Sequence, residues 1–174
     1  VMHSATKYFA GHNDILAGAV LGKKKFISEI RKLHKALGGV IDANCAYLLI
    51  RGLKTFPLRV NKQNESTLEI ARYLEKHPKI EKVYYPFLES HRHYKIAKEQ
   101  MTGGGGVVSF DIKGDLEAAK RFIDGVKMMY IAPSLGGVET LLTHPALVTY
   151  YDYTRERRYE IGITDCLFRL AVGI

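Results

Sequence analysis

Apolar residues recur along this chain at two spacings. Phe26, Ile30, Leu33 and Leu37 fall three or four apart, with Lys25, Glu29, Lys32 and Lys35 between them. That spacing predicts an amphipathic helix, which Gly38-Gly39 ends. Ala46, Leu49, Ile50 and Leu53 predict a buried helix over 43–53. Leu68, Ala71 and Leu74 predict another over 64–77, closed by Pro78, with Pro57 marking a break or kink ahead of it. A short helix follows over 94–101. Leu116, Ala119, Phe122, Ile123 and Val126 predict a further one, with Asp115 near its cap. Strand patterns occupy 1–5 (buried), 15–21, 83–85, 107–112 and 167–172, and a polar loop fills 6–14. This alternation predicts an α/β fold whose sheet is covered on one face by helices. The chain has no internal repeat and no low-complexity tract.

Composition narrows the class only slightly. The 174 residues suit one domain or one and a half. The apolar fraction of 47% and charged fraction of 25% are those of an ordinary globular protein. No apolar run is long enough to span a bilayer. Val1-Met2-His3-Ser4 lacks the character of a signal or transit peptide and reads as the inside of a strand. Gly173-Ile174 closes another strand-like run, so the expectation is a piece of a longer protein. The net charge of +8 fits an enzyme that handles small anions. Nucleic-acid binding is disfavoured, because Lys23-Lys24-Lys25 is the sole basic triplet and no aromatics interleave with it. Cys45 and Cys166 show no paired spacing, which implies reduced thiols and a reducing compartment. His91 and His93 lack a completing Cys or carboxylate set, so the histidines are expected at the surface and no metal site is expected.

Candidate chemistry centres on Lys7. A lysine amine condenses with an aldehyde only when uncharged, and burial or a neighbouring cation favours that form. Ser4 and Thr6 offer hydroxyls for a phosphate. In extended backbone they point to one side and Lys7 to the other. Arg169 lies in the apolar strand Leu167-Phe168-Arg169-Leu170-Ala171-Val172 and needs an anionic partner. A substrate carboxylate and an internal salt bridge both meet that need. The loop from Ala132 to Thr140, with Pro133 and Gly136-Gly137, either presents Ser134 and backbone N–H groups to a ligand or simply connects two elements. Gly103-Gly104-Gly105-Gly106 runs into a strand and lacks a following Gly-Lys-Ser/Thr, so it reads as a flexible turn rather than a phosphate loop.

The run Ser4-Ala5-Thr6-Lys7-Tyr8-Phe9-Ala10-Gly11-His12-Asn13-Asp14 closely resembles the pyridoxal phosphate (PLP) lysine signature of the Cys/Met-metabolism transsulfuration enzymes. Ser134-Leu135-Gly136-Gly137-Val138-Glu139 and Gly162-Ile163-Thr164-Asp165-Cys166-Leu167-Phe168-Arg169 match further segments, so the resemblance covers nearly the whole chain. It implies a type I, aspartate aminotransferase-like fold: part of the large domain over 1–58, then a C-terminal α/β domain with a mostly antiparallel sheet over 59–174. It implies PLP as cofactor, Lys7 as the Schiff-base lysine and proton shuttle, and Ser4 and Thr6 on the phosphate. It also implies Arg169 on the substrate carboxylate, Ser134 lining the substrate site, Glu139 near the substrate's distal end, and Thr149 in the same polar cluster. Arg51-Gly52-Leu53-Lys54-Thr55 resembles a helix motif that pins helices and the subunit interface.

Within the family, Thr149-Tyr150-Tyr151-Asp152, His12-Asn13-Asp14, Gly38-Gly39, Gln100-Met101-Thr102-Gly103 and Tyr130-Ile131-Ala132-Pro133 resemble the plant-type cystathionine γ-synthases. That implies γ-replacement joining cysteine to an activated homoserine ester, in a homo-oligomer built as a dimer of dimers. Ala43, Cys45 and Met128-Met129 depart from that branch. γ-Elimination, as in cystathionine γ-lyase or methionine γ-lyase, is the alternative. The resemblance further implies that an upstream half carries the ring-stacking aromatic, the acid facing the pyridine nitrogen and a Gly-rich phosphate loop. A product of these 174 residues alone is therefore expected to bind PLP weakly or not at all, acting if anywhere as an oligomerisation piece. The expected compartment is the cytoplasm, or the plastid if a transit peptide lies upstream.

Overall fold

A computed structural model describes residues 1–174. The N-terminal segment forms a small antiparallel hairpin, β1 (Met2–Ser4) with β2 (Gly18–Val20). Between them the backbone winds through a wide turn over Ala5–Phe9, where the Ala10 N–H reaches the Ala5 carbonyl at 3.0 Å. Two helices follow, α1 (Lys24–Leu37), which ends at Gly38, and α2 (Ala43–Leu53), capped by the Asp42 carboxylate on the Cys45 N–H.

Both segments expose what their patterns would bury. All three residues of β1 are exposed rather than buried. Phe26, Ile30, Leu33 and Leu37 stand open to solvent on α1, as do Tyr47, Ile50 and Leu53 on α2, where only Gly52 is buried. The periodicity marks faces able to be covered, and here they stand largely open to solvent.

The core begins with α3 (Phe56–Lys76). Pro57 does not break this helix. It occupies the first turn, where its missing N–H has no intrahelical partner to lose. The helix therefore starts eight residues before its expected start at 64, and the expected boundary at 58/59 falls inside its first turn. Beyond it come β3 (Ile80–Tyr84), α4 (Tyr94–Gln100), β4 (Val107–Ile112), α5 (Leu116–Asp124), β5 (Tyr130–Ile131), β6 (Leu141–Thr143), α6 (Pro145–Val148), α7 (Arg155–Glu160) and β7 (Leu167–Ala171). The strands form one five-stranded sheet in the order β3-β4-β7-β6-β5, antiparallel except for the β5–β6 pair. This mostly antiparallel sheet is the expected one.

Strand alternation sends Val108, Phe110, Leu142, Phe168 and Leu170 to one face, where Ala71 of α3 and Ala119 of α5 close the cluster. Phe110, Phe122 and Phe168 meet there as stacked and edge-on rings. Asp115 caps α5 as its position foretells, accepting from the Ala118 N–H at 2.9 Å. On the opposite face, Ser109, Arg169 and Thr143 form one row across β4, β7 and β6.

Two expectations need correction. His144 is not at the surface: its ring is fully buried against Phe168, with Nε2 2.9 Å from the Asp165 carbonyl. The glycine run 103–106 is pinned rather than loose. Asn64 Oδ1 accepts from the Gly105 N–H at 2.7 Å, and the Tyr85 hydroxyl donates to the Gly105 carbonyl at 2.9 Å. Burial pushes that phenol up to about 12.

Candidate active site

The wide turn places Lys7. Its backbone leaves helical geometry there (φ −90°, ψ −123°), which turns the side chain toward the loop after β5. Lys7 Nζ donates to Ser134 Oγ at 3.0 Å. Thr6, Lys7, Asn13, Asp14, Pro133 and Ser134 line a cavity of about 460 Å³, together with Ile15 and Leu16. The turn is not extended, so Thr6 and Lys7 face one cavity, whereas Ser4 is exposed and lines a neighbouring cavity with Tyr8 and Phe9. The Thr6 hydroxyl is engaged locally, accepting from the Ala17 N–H at 2.9 Å and donating to the Ala17 carbonyl at 3.3 Å.

Arg169 reaches the same loop from β7. Its guanidinium donates to the carbonyls of Pro133 and Ser134, the latter at 3.1 Å, and to Thr143 Oγ1 at 3.3 Å. No carboxylate pairs with it, and its Nε is buried without a partner. The internal salt bridge that would have explained this arginine does not form. Burial pulls its pKa below the ordinary guanidinium value. A half-buried cation held only by carbonyls and a hydroxyl is poised for an incoming anion.

The remaining candidates divide. Glu139 joins the cluster through Asn13, whose Nδ2 donates to Glu139 Oε2 at 2.7 Å. Thr149 stands apart, exposed at the end of α6. The hydroxyl beside Arg169 belongs instead to Thr143, which also donates to the Ala132 carbonyl.

Sequence reasoning passed over a second set on α3. Its buried positions are Arg59, Gln63, Thr67 and Ala71, one every fourth residue. Arg59 pins this region together with Gly52 and Thr55 of the 51–55 motif: it donates to the carbonyls of Tyr8 at 2.9 Å and Gly52 at 2.8 Å, and to Thr55 Oγ1 at 3.0 Å. Gln63 Nε2 donates to the Gly137 carbonyl at 2.7 Å. One helix thus ties the Lys7 turn to the Ser134 loop. A polar stripe continuing an apolar one at helical spacing was the signal available.

These groups fit one end of PLP. A primary amine stands in a cavity of the right size for a cofactor, and an unpaired guanidinium lies on the adjoining loop. A family model described as Cys/Met metabolism PLP-dependent enzyme matches residues 1–174. The chain belongs to that family. It is 52% identical over its full length to cystathionine gamma-synthase 1, chloroplastic, from Arabidopsis thaliana, and 47% identical to the L-methionine gamma-lyase of Fusobacterium nucleatum. It covers 31% of the first and 45% of the second, so it spans less than half the length of either. Among solved structures it superposes on cystathionine gamma synthase from Xanthomonas oryzae pv. oryzae, in complex with aminoacrylate and cysteine. That match has a TM-score of 0.93 and 38% identity, over all of this chain and 45% of that one. Cystathionine gamma-lyase from Lactobacillus plantarum, complexed with L-serine, matches with a TM-score of 0.90 at 36% identity, over 99% of this chain and 45% of that one. The type I fold expected of the chain follows from these matches, and the relatives are named as cystathionine synthases and cystathionine or methionine lyases.

Proposed function

We propose that this chain is the lysine-bearing part of a cystathionine γ-synthase, which joins cysteine to an activated homoserine ester by γ-replacement. The observation that carries the reading is the Lys7–Ser134 contact, on a loop that also holds the unpaired Arg169 guanidinium. When bound, PLP supplies the electron sink that makes the hydrogens on the substrate's Cα and Cβ acidic. Lys7 Nζ would hold the cofactor at its aldehyde, and the same amine is placed to move protons between those carbons. Ser134 Oγ orients that amine through their hydrogen bond. Arg169 grips the amino-acid carboxylate, with Thr143 and the loop carbonyls fixing the guanidinium plane. Glu139, held by Asn13, faces the substrate's distal end. Thr6, by turning its O–H away from Ala17, and Ser4, from the adjoining cavity, would contribute hydroxyls to the phosphate, whereas Thr149, exposed at the end of α6, takes no part in this cavity.

The synthase reading is supported by the 52% identity to the plant synthase and by the motifs around His12, Gln100 and Tyr150. γ-Elimination is the second reading, supported by the 47% identity to a methionine γ-lyase. The chloroplastic names of two plant relatives favour the plastid over the cytoplasm as compartment. A homo-oligomer fits the uncovered apolar faces of α1 and α2. The deciding assay supplies cysteine with acetyl-, succinyl- and phosphohomoserine. Cystathionine as main product supports the synthase, 2-oxobutyrate without cystathionine supports the lyase, and neither product from the full-length protein rejects both.

A further inference from the structure

Arg59 is the most completely enclosed cation of the chain, 3% exposed, and it faces no carboxylate. Burying a guanidinium among neutral groups is costly, and an apolar side chain of similar volume would pack there at less expense. Its contacts show what the charge accomplishes. Two of its three nitrogens bind the carbonyls of Tyr8, Phe9 and Gly52, and Nε is oriented by Thr55 Oγ1. Tyr8 and Phe9 directly follow Lys7. Two glycines clear the space. At Gly11 (φ +74°) a Cβ would lie 1.9 Å from an Arg59 nitrogen, and at Gly52 a Cβ would lie 2.1 Å from the Ala10 carbonyl oxygen. The Gly11 N–H in turn closes on the Lys7 carbonyl at 2.8 Å.

We propose that Arg59 is a positioning residue for Lys7: its guanidinium fixes the carbonyls of the two residues after the lysine and thereby aims the amine at Ser134 and the cavity. The inference rests on reading Lys7 as the cofactor lysine. A turn with an irregular dihedral at Lys7 has no repeating ladder of its own to hold it, so the cation on α3 supplies the missing acceptor-side restraint. Charge-assisted bonds to carbonyls are strong enough to do so. Lysine at 59 would keep the charge but lose the planar fork, and so would recover only part of the effect.

The test compares the full-length parent protein with its Arg59→Met, Arg59→Lys and Gly11→Ala variants, the last displacing the guanidinium without removing it. Amide hydrogen exchange is read without cofactor. Lys7 is also trapped by adding PLP and borohydride, then quantified by peptide mass. In Arg59→Met the Ala10 and Gly11 amides exchange at least about tenfold faster, the scale of one lost hydrogen bond to a charged group, while β4 and β7 amides are unchanged. The trapped fraction at Lys7 falls by a similar factor, Gly11→Ala reproduces both effects, and Arg59→Lys reverses part of each. The proposal is overturned if the turn amides stay as slow as in the parent, or if core amides accelerate by the same factor. It is equally overturned if the turn loosens and Lys7 trapping does not change. A parent that is never trapped at Lys7 removes the proposed function instead, and the exchange measurement still decides whether Arg59 holds the turn.

Discussion

Lys7 Nζ and Ser134 Oγ meet at 3.0 Å although 127 positions separate them in the chain. The same loop accepts the Arg169 guanidinium at the Ser134 carbonyl, 3.1 Å away. One side chain of the loop therefore touches the amine, and two of its backbone carbonyls, those of Pro133 and Ser134, touch the guanidinium. Movement of that loop changes both at once, which makes it the natural target for mutation.

The amine comes first. Lys7→Ala is expected to abolish the near-visible absorbance that PLP acquires on binding to the full-length protein, and to lower turnover beyond detection, since no other amine lines the cavity. Ser134→Ala leaves the absorbance but lowers kcat by about tenfold, the scale of one hydrogen bond at about 1.4 kcal/mol. A Lys7→Ala protein that keeps the absorbance band would overturn the assignment.

Arg169 should act on binding rather than chemistry. Arg169→Met removes a charge-assisted bidentate site worth about 2–3 kcal/mol, so KM for the amino-acid substrate rises by about 30- to 150-fold, with a smaller change in kcat. Arg169→Lys recovers little, because an ammonium cannot present the planar fork to a carboxylate. Steady-state kinetics with each variant decide this. A fall in kcat at unchanged KM contradicts the carboxylate role.

Much of this arrangement could be read in the sequence, and the rest has identifiable reasons for being hidden. β4 alternates because one of its faces packs into the core, β7 reads as a short apolar run interrupted only by Arg169, and Asp115 announces the start of α5 by its cap. β5, of two residues, and β6, of three, are too short to show any period. Pro57 looked like a breaker because a proline reads the same whether it ends a helix or begins one. Lys7 and Arg169 stood out through their motifs. Arg59 and Gln63 did not: their four-residue spacing ahead of Ala71 marks a buried face but does not encode the backbone carbonyls they bind. The exposed stripe of α1 was predicted correctly as amphipathic, but a periodicity carries no information about what covers it.

Acid should destabilise the fold in two steps. The His144 ring is buried, which holds its pKa below the ordinary 6.5, and Nδ1 has no partner to share a proton with. The unfolded chain then takes up that proton first, so this contribution to stability is complete above about pH 6.5 and is lost as pH falls toward the lower folded value. Asp165 follows. Its burial alone would raise its pKa, but Arg158 at 2.8 Å and Arg155 at 2.7 Å bring it below the ordinary 3.8. Its contribution is present above that value and fades only in stronger acid. Urea midpoints between pH 4.5 and 8 should rise with pH in the parent and flatten in His144→Gln. An unaltered slope in the variant would assign the dependence elsewhere.

Gly136 gives the most direct test of coupling between the loop and the lysine. It adopts φ +81°, where a side chain is strained, and an added Cβ would lie 2.7 Å from the Tyr8 nitrogen and 3.1 Å from the Lys7 carbonyl carbon. Those neighbours are backbone atoms and cannot rotate aside, so Gly136→Ala must push the loop away from the turn. The backbone strain alone costs about 1–2 kcal/mol. The larger effect falls on function: Ser134 withdraws from Lys7, and the carbonyl that steadies Arg169 moves with it. Because one displacement disturbs both groups, Gly136→Ala is expected to raise KM and lower kcat together, whereas Ser134→Ala changes mainly kcat and Arg169→Met mainly KM. Kinetics of the three variants side by side, with melting temperatures to exclude unfolding, test this. If Gly136→Ala loses stability but leaves both kinetic constants intact, the loop and the lysine are not coupled in the way their geometry indicates.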